Sequence, residues 1–298
     1  MRVSARGPVP RRVTSVAFAA VLLAGGTVAC GGGAESDSAN EDPPKVTPAT
    51  AVAKAATNSE DIRSLHYRIT GTVPEKGRLE AEASMNTEPL TMSMRMTVAD
   101  QDGDSRLEVR FVNEVMYVGG SAVDSEKLDG KSWFRADPAA WGHGAVDNKS
   151  YGVLPRQIEG SPVVQSTLLT GSEDLQMIGT ETVDGTRTRH YEGTVTSGSL
   201  LAARKGAVDE ATRERLIESL DQFMGLGVSD TLTMDLWIDG DDHAKQFRMR
   251  AEPNDKQAST GGGPLDLTIT FLDINQPVSI ETPLPEDTTA LADGAQGS

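Results

Sequence analysis

Leu90-Thr91-Met92-Ser93-Met94-Arg95-Met96-Thr97-Val98 alternates apolar and polar residues without a break. Side chains of a strand point to opposite faces with period two, so this stretch is a strand with one buried and one wet face. The same alternation runs through Leu65–Val73, Leu79–Met85, Leu107–Phe111, Leu232–Ile238, Phe247–Ala251 and Leu265–Phe271. Between these runs lie Asp100-Gln101-Asp102-Gly103-Asp104, Asp129-Gly130, Asp184-Gly185 and Asp239-Gly240-Asp241-Asp242. Asp and Gly accept the backbone angles of tight turns, so the runs fold as antiparallel meanders.

Four helices are expected around this sheet. Thr47–Ser59 leads into the first strand, and Ser161–Leu169 and Ser197–Lys205 are short. The clearest runs from Asp209 to Met224, with Leu216, Ile217, Leu220, Phe223 and Met224 at helical spacing. Asp209 can cap its start, and Gly225 with Gly227 can end it. An amphipathic helix beside strands apolar on one face predicts an α+β fold.

The ends of the chain have another character. Arg2, Arg6, Arg11 and Arg12 precede an apolar run from Val16 to Ala29, and Cys30, the only cysteine, follows directly. A basic start, a short apolar segment and a small residue before the cut form a secretory signal. The rival reading, a spanning helix, needs about 20 mostly apolar residues. The run has 14 and contains Gly25, Gly26 and Thr27. Residues 1–29 therefore read as a lipoprotein signal peptide cut between Ala29 and Cys30, whose thiol takes the lipid. Arg11-Arg12 invites a twin-arginine reading, but Thr14 and Ser15 stand where that motif has apolar residues. Residues 30–48 read as a disordered tether, rich in Gly, Ser, Asp and Pro. The folded domain is expected over 49–285, and 286–298 read as a second disordered tail.

Charge narrows the function. The 298 residues carry 28 basic and 44 acidic groups, a formal charge of −16. Loss of the leader removes four arginines and takes this to about −20. Such a surface repels phosphate backbones and excludes nucleic acid as a partner. One cysteine makes no internal disulfide, so the fold rests on its core.

Catalytic signals are sparse. His66, His143, His190 and His243 are scattered, and none has a metal-ligand partner at helix or loop spacing. His66 and His190 precede tyrosines in strands, where a hydrogen-bonded or exposed histidine is the simpler reading. The loops at Asp100–Asp104 and Asp239–Asp242 resemble calcium loops in composition. The first lacks a closing glutamate, because eleven residues beyond Asp100 stands Phe111. Turn formation is the favoured reading of both. No metal and no cofactor is implied. Met92, Met94 and Met96 stand out instead, because methionine is flexible and polarizable and suits irregular apolar ligands as well as irregular cores.

Several phrases together resemble the actinobacterial LppX/LprG-type lipoproteins, within the wider LolA-like fold. Thr27-Val28-Ala29-Cys30 is similar to a lipobox, although Thr27 stands where the pattern has Leu or Val. Val115-Met116-Tyr117-Val118-Gly119-Gly120 followed by Asp129–Arg135 resembles the family's hairpin ending in an aromatic strand. Arg189–Val195 precedes a helical insertion, and Leu232–Asp239, Phe247–Arg250, Leu265–Phe271 and Pro277-Val278 resemble its closing meander. The resemblance covers about residues 50–285. It implies a curved antiparallel half-barrel with helices over its concave face and an apolar cavity between them. It further implies a non-enzymatic carrier or binder of a lipid or other hydrophobic ligand, or an envelope sensor or regulator that contacts a protein. It supplies no catalytic residue. Met92, Met94, Met96, Trp133 and Phe134 are the candidate cavity residues. The expected location is the extracytoplasmic face of the cell membrane, through a lipid on Cys30.

Overall fold

The computed structural model describes residues 46–74, 77–100, 103–123, 125–136, 162–259 and 263–290. All lie in one compact unit, Lys45–Ser298. Ala29, Cys30, most of the expected tether, Gln101-Asp102, and residues 137–161 lie outside the described residues.

Helix α1 (Pro48–Asn58) leads into β1 (Ser64–Val73), β2 (Gly77–Thr87), β3 (Leu90–Asp100) and β4 (Gly103–Val112). Then come β5 (Val115–Gly119), β6 (Trp133–Ala136), α2 (Pro162–Thr170), β7 (Gln176–Val183) and β8 (Thr186–Thr196). Helices α3 (Ser197–Gly206) and α4 (Glu210–Gly225) precede β9 (Thr231–Ile238), β10 (Ala244–Ala251), the short α5 (Asp255–Ser259) and β11 (Leu265–Ile274). A last strand, β12 (Thr288–Ala290), ends the described chain.

The strands form one sheet in the order β12-β6-β5-β4-β3-β2-β1-β11-β10-β9-β8-β7. Only the β12–β6 pair is parallel. The order has two ends, so the sheet is an open, curved half-barrel rather than a closed barrel. With the helices it makes the α+β class expected from the alternation.

Capping sets the helix boundaries. The Thr47 side chain accepts from Thr50 N, and Pro48 occupies the first turn, where its missing N–H costs nothing. Thr196 and Ser199 form a reciprocal capping box at α3. Asp209 accepts from Thr212 N at the head of α4, as its sequence suggests.

One sheet face is apolar from end to end. Tyr191, Leu236, Phe247, Ile269, Ile69, Ala81, Met96 and Leu107 succeed one another in register from β8 to β4. All but Leu107 are buried. Over this face lie Ala51, Val52 and Ala55 of α1, Leu168 and Leu169 of α2, Leu200 of α3, and Leu216 and Phe223 of α4. Gly193 makes room for this layer. A Cβ there would meet Ser172 Oγ at 2.4 Å and Leu169 Cδ1 at 3.2 Å.

The C-terminal segment departs from expectation. After β11 the chain crosses the polar face of the sheet, held mainly through its own carbonyls. Ser64 Oγ donates to Gln276 O at 2.5 Å, Asn86 Nδ2 to Val278 O at 3.1 Å, and Arg110 to Glu281 O at 3.1 Å. Residues 286–290, read as tail, complete a 3₁₀ turn and pair with the free edge of β6. That pairing supplies the order that the local composition withholds.

Candidate ligand-binding face

The methionine run fixes the centre of the candidate site. Met92, Met94 and Met96 of β3 are buried at 0%, 1% and 8% exposure, and the intervening Ser93, Arg95 and Thr97 face the other way. Met92 lies between Met85 and Phe111, and Met94 between Ala83 and Val109. The row through Met94 continues to Val118 and then Phe134. Phe134 is partly buried and packs against the core. Register therefore brings the three methionines and Phe134 onto one face of the sheet, the face that carries the core.

Trp133 does not join them. Adjacent strand residues point to opposite sides, and Trp133 lies on the polar face. Its ring rests over Gly119, whose absent Cβ would stand 2.8 Å from Trp133 Cδ2, and under the Arg110 guanidinium at 4.7 Å. Trp133 is thus corrected from cavity residue to cation–π partner on the outer face.

The helix layer contributes polarity as well as apolar cover. Ser166 of α2 and Gln222 of α4 are almost wholly buried. Gln222 sits three residues beyond the buried Ser219 and beside Phe223, on the stripe that α4 turns inward. Neither end of its carboxamide, nor the Ser166 hydroxyl, bonds to a described protein group.

The polar face carries a second arrangement, at the β7 end. The His190 ring stacks on Trp237, with centroids 4.2 Å apart and planes at 13°. Its Nδ1 lies 2.8 Å from Glu181 Oε1 and its Nε2 2.8 Å from Asp235 Oδ1. Trp237 Nε1 donates to Glu181 Oε2 at 2.9 Å. That bond, followed by the one from His190, holds the Glu181 carboxyl below its ordinary range. Arg250 reaches Asp235 Oδ2 at 2.6 Å and Glu192 at 3.0 Å. Arg248 clasps Asp266 through two bonds of 2.8 Å, which lowers the Asp266 carboxyl. Each group is tied to its neighbours, so the arrangement clamps β7, β8, β9, β10 and β11 together. The hydrogen-bonded reading of His190 matches this geometry.

The loop at Asp239–Asp242 is a turn by its bonds. Asp239 Oδ1 accepts from Asp241 N at 2.9 Å and His243 N at 2.8 Å. Asp242 takes Lys54 at 2.6 Å and also pairs with Arg189. Among the described residues, no group of three His, Cys, Asp or Glu is placed to hold a metal ion. Among the same residues, no helix is long and apolar enough to cross a membrane.

An open antiparallel half-barrel with helices over an apolar face is the class of protein these features define. No family model matches the chain. It is similar to an uncharacterized 31.2 kDa protein encoded between rplA and rplJ in Streptomyces griseus, 28% identical over 190 residues. That likeness covers 62% of this chain and 57% of the relative, so the chain spans less than two thirds of the relative's length. Among solved structures it is similar to the lipoprotein LppX of Mycobacterium tuberculosis, at 15% identity and a TM-score of 0.46. That match covers 78% of this chain and 98% of LppX. LprF of Mycobacterium bovis gives 15% identity and a TM-score of 0.45, over 79% and 96% of the two chains. At such identities the likeness concerns the fold alone.

Proposed function

We propose that this chain is a lipid-anchored, non-enzymatic envelope protein that binds a lipid or another hydrophobic ligand between its sheet and its helix layer. The observation that carries this reading is the unbroken apolar face crossing the sheet, with Met92, Met94, Met96 and Phe134 at one side. Residues of four helices pack into the same core over it. Methionines adapt to chains of variable shape. His190, with both ring nitrogens engaged by carboxylates, ties strands together. Cys30, in its lipobox-like context, supplies the anchor through its acylated thiol.

Native mass spectrometry of the chain from Gly31 onward tests ligand binding. Discrete lipid masses that co-purify, or that appear on incubation with lipid micelles, are expected. A bare protein mass under both conditions would sink the binding role. Cys30→Ser tests the anchor, by moving the protein from membrane to medium or leaving the signal uncut.

A second reading, a sensor or regulatory module that contacts a protein, is favoured by one feature. Met177 and Ile178 are about half exposed on β7, the strand at one open end of the sheet. A partner strand can add to such an edge. Loss of a pull-down partner on Ile178→Lys, with lipid uptake unchanged, would select this reading over the first.

A further inference from the structure

Helix α3 is a basic, exposed element of an acidic protein. Its ten residues, Ser197–Gly206, include Arg204 and Lys205 and no carboxylate, in a protein of formal charge −16. Leu200 is buried in the core, whereas Leu201 is 40% exposed and Val208, at the α3–α4 turn, is 94% exposed. Leu201, Arg204, Lys205 and Arg213 line one open groove of about 370 Å³. Neither Arg204 nor Lys205 has an ion-pair partner among the described residues, whereas Arg213 pairs with Glu210. The carboxylates that follow α3 in sequence, Asp209 and Glu210, are already engaged, and Asp230 accepts from Ser197 at 2.6 Å. Asp209 caps α4 through Thr212, and Glu210 holds Arg213.

We infer that this corner is a docking surface for the anionic face of a bilayer, with phosphodiester headgroups in the groove and Leu201 and Val208 in the acyl boundary. Cations flanking exposed apolar side chains are the pattern of an interfacial helix, because long basic side chains reach headgroups while apolar neighbours enter the boundary. Guanidinium groups also match phosphate oxygens in pairs. The surface is confined to this corner. Further along α4, the exposed Ile217 and Met224 alternate with Glu214 and Asp221, which an anionic surface repels. The helix layer is also where the tether enters, since Thr47 caps α1 and α1 packs into the same core.

This inference rests on the anchored reading of Cys30. Seventeen residues, Gly31–Thr47, separate that cysteine from α1. An unfolded chain of seventeen residues spans about 23 Å on average and at most about 60 Å. The tethered domain thus meets the membrane at an effective concentration near millimolar, so a weak surface suffices.

The single cysteine also supplies the test. The chain from Cys30 onward is coupled through its thiol to maleimide lipids in two kinds of vesicle. One is phosphatidylcholine alone, the other phosphatidylcholine with phosphatidylglycerol at about two to one. Hydrogen exchange is then followed for peptides covering residues 206–211. Exchange is expected to slow about threefold or more on the anionic vesicles only. About 0.5 M salt should reverse the slowing, since exposed charge interactions are then screened. R204E/K205E should abolish it while leaving the thermal midpoint unchanged. Equal exchange on the two vesicles, or slowing that survives R204E/K205E, would overturn the inference. Slowing in solution that grows with protein concentration would assign the corner to a second copy and overturn it too. Chemical coupling makes the outcome independent of cellular processing. Failure of the anchored reading would appear separately, as unchanged fractionation and normal cleavage of Cys30→Ser in cells.

Discussion

Replacing Asp235 or Glu181 by its amide removes one charge from the same histidine, yet the two changes should differ several-fold in cost. The Asp235 side chain is 5% exposed and serves two donors, His190 at 2.8 Å and Arg250 at 2.6 Å. An amide has one oxygen for two donors, and its NH₂ group would then face a cation. Removing one partner of a buried ion pair costs about 3–5 kcal/mol. Against a total stability of about 5–15 kcal/mol, Asp235→Asn should lower the thermal midpoint by roughly 10 °C. The Glu181 side chain is 49% exposed, where water screens the pair. Glu181→Gln should cost about 1 kcal/mol or less. Urea unfolding of the two variants, followed by circular dichroism, gives both numbers. A double-mutant cycle with His190 then isolates the coupling. Equal costs, or a larger one at Glu181, would refute the claim that burial decides the strength of this clamp.

Met94→Ala should destabilise by about 2–5 kcal/mol, because Met94 is 1% exposed within the core. Met177→Ala, on the open edge, should change stability by about 0.5 kcal/mol or less in the same denaturation series. Gly71→Ala should cost about 2–3 kcal/mol, since the new Cβ would fall 2.0 Å from Asp266 O at a φ of +145°. The pH dependence follows from Asp266, whose carboxyl Arg248 holds below the ordinary 3.8. A group with a depressed folded pKa binds fewer protons folded than unfolded, so its stabilisation is present above the unfolded value and is lost as pH falls through the folded one. Stability should therefore hold from neutral pH down to about pH 5 and fall below that. Asp266→Asn should make the acid limb shallower, and an unchanged limb in acid titrations would remove Asp266 from the explanation.

The sheet was legible wherever one strand face is buried and the other wet. The runs in β1 to β4 and β9 to β11 alternate, and the turns after β3 and β9 carry Asp and Gly. Strand β7 gave no such signal, because it is an edge strand with nearly every side chain exposed. Strand β12 is three polar or small residues whose order comes from β6, not from its own sequence. Trp133 and Phe134 illustrate a constraint the sequence does contain. Neighbours in a strand cannot line the same face, and register with Val118 selects Phe134. The His190 clamp was beyond reach, since Glu181, His190 and Asp235 meet only because β7, β8 and β9 are neighbours in the sheet. The exposed Leu201 and Val208 likewise depend on which side of α3 the core takes up.

Photo-crosslinking tests the proposed binding face most directly. A lipid with a diazirine in its acyl chain is bound to the chain from Gly31 onward, irradiated, and its adducts are located by peptide sequencing. The account predicts adducts on Met92, Met94, Met96, Phe134 and the inward residues Leu168, Leu169 and Phe223. Adducts confined to the polar face around Trp133 and Arg95, or none above a water-soluble diazirine control, would contradict it.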